Sequence, residues 1–164
     1  MNRITATLVI VALVALDQAS KFWTVANLAL GERMDVLPFL GLLHARNHGI
    51  AWSMLDGLGQ WPLVALAGVV LVIVAWLWAQ VPRERWLSHW GFMLIVAGAI
   101  GNVIDRATLG YVVDMIHFHI DAIDYRFAIF NVADTWISLG AAAVVIDELL
   151  SWRRERAASD TRET

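Results

Sequence analysis

Residues 61–80 carry no charged side chain, running from Trp61-Pro62-Leu63-Val64 to Trp78-Ala79-Gln80. As a helix, about 20 apolar residues rising about 1.5 Å each match the ~30 Å hydrocarbon thickness of a bilayer. Lipid offers the backbone no water to bond, so an open chain crosses it only as a helix. This segment commits the chain to a helical membrane architecture. The bulk agrees: 59% of the 164 residues are hydrophobic and mean hydropathy is +0.62. A soluble domain of this size needs more polar surface than that leaves.

Four spans are expected, at about 4–23, 61–80, 86–104 and 128–150, in a single membrane domain covering 1–164. The first follows Met1-Asn2-Arg3 and has the apolar character of a signal peptide, but no A-x-A cleavage pattern follows it, so it is read as an uncleaved span. Asp17 and Lys21 lie four apart on one face of it and read as a structural ion pair near the helix end. In the third span, Gly98 and Gly101 suit close helix contact. Segments 24–60 and 105–127 are broken by glycine and charge and are expected outside the membrane, as short strands with a helical piece on the surface. Within the second, 111–120 alternates as a strand does. Residues 151–164 form a polar tail.

Orientation follows from the positive charge. Of twelve basic residues, seven (Arg3, Arg83, Arg85, Arg153, Arg154, Arg156, Arg162) fall at the N-terminus, in the 81–85 turn and in the tail. The positive-inside rule then predicts cytoplasmic termini and outward-facing 24–60 and 105–127 segments. Trp23, Trp61, Trp76, Trp78, Trp86, Trp90 and Trp152 sit near the expected span ends, as interfacial anchors do.

Two carboxylates carry the functional argument. Asp134 lies near the start of the fourth apolar run, where an ionised Asp costs roughly 2.5–3.5 kcal/mol on insertion scales and so marks function by default. Asp114 lies in the alternating segment, and the predicted topology brings both to the same membrane face. Two carboxylates meeting there can share one proton and perform acid/base chemistry. Asn131, Asp134 and Ser138 have i, i+3, i+7 spacing, predicting one shared helix face. Asp105-Arg106 reads either as a helix-end ion pair or, through the guanidinium fork, as a grip on a peptide.

Other chemistries find little support. Cys is absent, removing disulfides, thiol nucleophiles and zinc thiolates together. His117-Phe118-His119 puts two imidazoles on one strand face, yet without H-E-x-x-H the pattern is weak; these are expected to be edge-strand side chains, with no metal and no cofactor. Ser20, Ser53, Ser88 and Ser138 lack a Lys or His at a convincing spacing, which argues against a serine nucleophile. No basic block is long enough to follow a phosphate backbone, so no nucleic-acid partner is expected.

Five blocks stand in order: Leu16-Asp17-Gln18-Ala19-Ser20-Lys21, Asn47-His48-Gly49-Ile50-Ala51-Trp52-Ser53, Gly101-Asn102 with Asp105-Arg106, Val112-Val113-Asp114, and Phe130-Asn131-Val132-Ala133-Asp134. Together they resemble the blocks of bacterial lipoprotein signal peptidase, signal peptidase II, over residues 16–138. Trp52 departs from the family's more usual Phe. The resemblance implies four transmembrane helices with a small extracytoplasmic β-sheet and a surface helix. It implies Asp114 and Asp134 as a catalytic aspartyl pair, and substrate-binding roles for Asn47, Gly49, Asn102, Arg106 and Asn131. It further implies an aspartic endopeptidase of the bacterial inner membrane, active at its outer face. The implied substrates are prolipoproteins carrying a diacylglyceryl-cysteine, cut just before that residue. Membrane lipids are the other expected partners, and a monomer is expected. The alternative is a non-enzymatic small transporter or lipid- or peptide-binding subunit, whose polar residues would line a path. Against it, these residues gather at one membrane face.

Overall fold

The computed structural model describes residues 2–49, 59–120, 123 and 125–160. Its elements are α1 (Arg3–Asn27), β1 (Arg33–Leu37), β2 (Leu40–Asn47), α2 (Gln60–Ala79), α3 (Trp86–Leu109), β3 (Val112–Ile120), β4 (Tyr125–Arg126) and α4 (Val132–Asp160). By length and composition α1, α2 and α3 can each cross a membrane. α4 is interrupted by Asp134 near its start and by Asp147 and Glu148 further on, leaving 135–146 as its uncharged stretch.

α3 is the central helix: α4 makes the most extensive contact with it, and α1 and α2 also pack against it. Small residues set that closeness. A Cβ added at Gly91 would run into the backbone of Gly140, and one at Gly140 into the backbone of Gly91. Gly98 stands against the Ala133 carbonyl at the start of α4, whereas Gly101 stands against the Asp17 carboxylate of α1. The two glycines predicted to allow close contact therefore face different neighbours. Without a hydrophobic effect between helices in lipid, such backbone approach is what holds them.

Four boundaries differ from the sequence reading, the largest being the end of α4, which continues as helix through the polar tail to Asp160 instead of stopping at 150. α3 continues through Asp105 and Arg106 to Leu109 instead of stopping at 104. Charge does not end a helix; the left-handed Gly110 does, at φ 84°, with its N–H donating to the Arg106 carbonyl at 3.1 Å. α1 extends to Asn27, whose side chain donates to the Trp23 carbonyl at 2.7 Å. α4 starts at Val132 instead of 128, which leaves Asn131 ahead of the helix.

The strands form one antiparallel sheet in sequence order, β1-β2-β3-β4. β3 is thus an inner strand, and His117 and His119 are buried there rather than lying on an edge. Their rings stack at 5.1 Å, as the shared strand face requires. β3 leaves α3 through Gly110 and Tyr111, so Asp114 follows closely on Arg106. The surface helix has no counterpart among the described residues; Ala51-Trp52-Ser53 lie outside them.

Candidate active site

β3 and the entry to α4 are stitched together by backbone bonds. The Phe130 N–H donates to the Ile116 carbonyl at 3.1 Å, and the Met115 and Ile116 N–H groups both donate to the Phe130 carbonyl, at 3.0 and 2.7 Å. Phe130 also stacks on Phe118 at 5.9 Å and meets Phe127 edge-on at 6.0 Å. This seam fixes Asp114 on the strand against Asn131 and Asp134 at the helix start.

Asn131 and Asp134 cap α4 reciprocally. The Asp134 N–H donates to Asn131 Oδ1 at 2.9 Å, and the Asn131 N–H donates to Asp134 Oδ2 at 3.2 Å. The pattern is a capping box built from Asn and Asp. Asn131 therefore does not share a helix face with Asp134 and Ser138 as the spacing predicts; it terminates the helix instead.

Asparagine amides tie the two carboxylates into one network. Asn131 Nδ2 donates to Asp114 Oδ1 at 2.6 Å, and Asn47 Nδ2 donates to Asp114 Oδ2 at 3.1 Å. Asn102 Nδ2 donates to Asp134 Oδ1 at 2.8 Å, while Asn102 Oδ1 accepts from Asn131 Nδ2 at 3.2 Å. Asp114 is only 3% exposed, and burial together with the charge of Asp134 pushes its carboxyl up to about 6. The Asn131 and Asn47 donors and the Lys21 ammonium pull the other way. Desolvation and a like charge are the two effects expected to keep one proton on such a pair.

A cavity of about 390 Å³ opens beside the network. Asp134, Asn47, Asn102 and Arg106 form its polar side, and Phe127, Phe130 and Ile137 contribute apolar wall. Asp114 lies behind this lining. Arg106 Nη2 donates to the Gly49 carbonyl at 2.6 Å, and the Gly49 N–H donates to Asn47 Oδ1 at 3.1 Å. Arg106 Nε is buried with no hydrogen-bond partner, leaving a donor next to the cavity.

All seven predicted site residues thus converge, although Asn131 is fully buried, with both ends of its amide committed inside the protein. A second cluster lies beneath. Lys21 Nζ sits 3.0 Å from each of Asp17 Oδ2, Asp105 Oδ2 and Asn102 Oδ1. Asp105 consequently pairs with Lys21 and not with Arg106, because adjacent residues on a helix point to different faces. Two matched polar stripes, Asp17-Gln18 with Lys21 and Asn102 with Asp105, are the sequence signal for this contact. Among the described residues no three His, Asp or Glu side chains converge on a metal position.

The family model described as signal peptidase (SPase) II matches residues 9–150. The chain is 46% identical over 143 residues to the lipoprotein signal peptidase of Bartonella henselae, covering 87% of each. It is 44% identical over 153 residues to that of Allorhizobium ampelinum, covering 93% of each. A solved structure described as a bacterial membrane enzyme superposes with a TM-score of 0.81 at 30% identity, covering 90% of this chain and 88% of the other.

Proposed function

The chain belongs to the signal peptidase II family and removes signal peptides from lipoproteins; we propose that it does so as an aspartic endopeptidase whose reactive groups are Asp114 and Asp134. The observation that carries this reading is the Asn102–Asn131 bridge, which links the two carboxylates at the edge of a mostly apolar cavity. Family membership leaves no ground for the transporter alternative.

The substrate is a prolipoprotein bearing a diacylglyceryl-cysteine, and the bond broken is the peptide bond before that cysteine. Asp134, facing the cavity, takes a proton from water as the water oxygen attacks the scissile carbonyl carbon. Asp114, buried and raised, holds the pair's proton and donates a hydrogen bond to the carbonyl oxygen. The tetrahedral intermediate collapses when the nitrogen of the leaving amine accepts a proton from the pair, and the C–N bond breaks. Asn47, Asn102, Gly49 and Arg106 line or border the space where the substrate backbone lies, the guanidinium being suited to a peptide carbonyl. Asn131 serves the pair rather than the substrate, since its amide is already committed. No metal or organic cofactor takes part.

The enzyme is a multi-pass membrane protein, and we place it as a monomer in the inner membrane with α4 as a fourth span. Both termini are then cytoplasmic and the site lies at the outer face, within reach of substrate arriving from the lipid. The test is to replace Asp114 or Asp134 with Asn, which keeps the volume but cannot accept a proton from water. Each variant is expected to stay folded and lose at least about 10³-fold in cleavage of a lipidated substrate. Near-normal turnover in either would remove that residue from the pair.

A further inference from the structure

Beneath the reactive pair lies a charged cluster that is almost fully enclosed: Asp17 is 0%, Lys21 3% and Asp105 2% exposed. An ion pair anchoring one helix would need a single carboxylate. Here the ammonium has three oxygen partners at 3.0 Å, one for each of its protons. Gln18 Nε2 reaches Asp17 Oδ2 at 3.2 Å, Asp105 Oδ1 at 2.9 Å and the Gly101 carbonyl at 3.1 Å, which fixes the carboxylates relative to each other.

Each carboxylate also accepts one backbone N–H, and the identity of those two groups is informative. Asp17 Oδ1 accepts from Ala133 at 2.8 Å, the residue immediately before Asp134. Asp105 Oδ2 accepts from Val113 at 3.0 Å, the residue immediately before Asp114. Ala133 lies in the first turn of α4, where N–H groups have no helical partner. The third partner of Lys21, Asn102, donates directly to Asp134. A single ammonium thus reaches both reactive carboxylates through matched short links.

We propose that Asp17, Lys21 and Asp105 form a buried brace that sets the spacing and the charge balance of the two reactive carboxylates, and are positioning residues for the cleavage reaction. The proposal rests on the Asp114–Asp134 reading above. Its mechanical half follows from geometry: a misplacement of about 1 Å can cost about 100-fold in rate. Its electrostatic half follows from net charge. The brace carries two negative charges and one positive charge, and Lys21 is among the groups acting on Asp114. The charged groups facing the pair are Lys21 from α1 and Arg106 from α3, with Asp17 and Asp105 bound to Lys21; His117 on β3 has His119, Arg33, Arg126 and Asp35 as its charged or titratable neighbours instead. β2 contributes neutral Asn47, its Arg46 lying over the Tyr111 ring at 4.6 Å.

The experiment measures kcat, KM and the pH profile of kcat/KM for the purified full-length protein cleaving a synthetic diacylglyceryl-cysteine lipopeptide. Lys21→Met, Asp17→Asn and Asp105→Asn are compared, each with its melting temperature. We expect kcat to fall about 10- to 100-fold with KM within about threefold, as loss of positioning dictates. The alkaline limb should move to higher pH in Lys21→Met, which removes a cation near the pair. It should move to lower pH in both Asn variants, which leave that cation less neutralised, by about half a unit or more in each direction. Should Lys21→Met fail to fold, the Asn variants decide, because each keeps one carboxylate on the lysine. Folded Asn variants with unchanged kcat or an unmoved limb overturn the brace, as does loss of fold in all three, which would make the cluster purely structural. Asp114→Asn and Asp134→Asn run alongside: if they retain turnover, the pair assignment has failed, whereas inactive pair variants beside normal brace variants sink the brace alone.

Discussion

In the proposed pair, the proton on Asp114 is held by opposing terms. Burial and the second negative charge push Asp114 up to about 6, and two asparagine amides with Lys21 resist. Below that value Asp114 keeps its proton; above it Asp114 ionises. A reaction needing one acid and one base therefore loses its competent form as pH rises through about 6, and kcat/KM, which reports the free enzyme, should fall about tenfold per unit beyond it. The limb of kcat should lie at higher pH, because bound substrate displaces water and disfavours the dianion further. A kcat/KM that climbs steadily through pH 7 and 8 would show that the dianion is the active form. At this scale much was legible: an Asp in an apolar run and an Asp in an alternating segment stand out by cost alone. The Lys21–Asp105 pair did not stand out, since it joins two helices and is masked by the nearer choices Asp17 and Arg106. Asn131 likewise reads as a face residue until the helix start is known.

Among the elements, α3 and α4 decide whether the site exists, because Asn102 stands on one helix and Asp134 on the other. Their separation is set where Gly98 meets the Ala133 carbonyl, next to the Asp17 link. Gly98→Ala puts a methyl into a backbone atom that cannot rotate away. We expect a loss of about 1–3 kcal/mol in stability, in the range of overpacked cores, and a drop of tenfold or more in turnover. Gly68→Ala, in α2 with open space around it, is the control and should melt at or slightly above the parent temperature, helix propensity favouring Ala by up to about 1 kcal/mol. Equal effects from the two would mean that the α3–α4 approach is not what positions the site. Helix existence was readable from apolar length, whereas helix ends were not. α3 runs past its first charges because Asp105 finds Lys21 inside the protein, and it stops only where Gly110 supplies a left-handed backbone.

Over the whole molecule, the short basic segments and the candidate site lie at opposite ends of the bundle. Arg85 binds Asp147 and Glu148 at 2.8 Å each, joining the start of α3 to the later part of α4. Arg3 and Arg83 line one shared cleft, so the N-terminus belongs to that same end. The Asn102–Arg106 end of α3, the sheet and the proposed reactive pair lie at the other. This arrangement is the one that a count of basic residues along the chain anticipates, because charge near span ends is a sequence-local property. The placement of the hairpin over the site depends on long-range strand pairing and was visible only as alternation. If the basic end is cytoplasmic, the hairpin turn at Phe39 and the tail at Glu155 must sit across the membrane from each other. The parent has no cysteine, so Phe39→Cys and Glu155→Cys each create a single labelling site, and both positions are exposed. A membrane-impermeant maleimide added to cells with a permeable outer membrane and an intact inner one should modify Phe39→Cys. Glu155→Cys should react only after the inner membrane is opened. Both labelling from outside would place an odd number of crossings between residues 39 and 155 in error, and α4, the helix whose apolar stretch is shortest, would be the one that does not span.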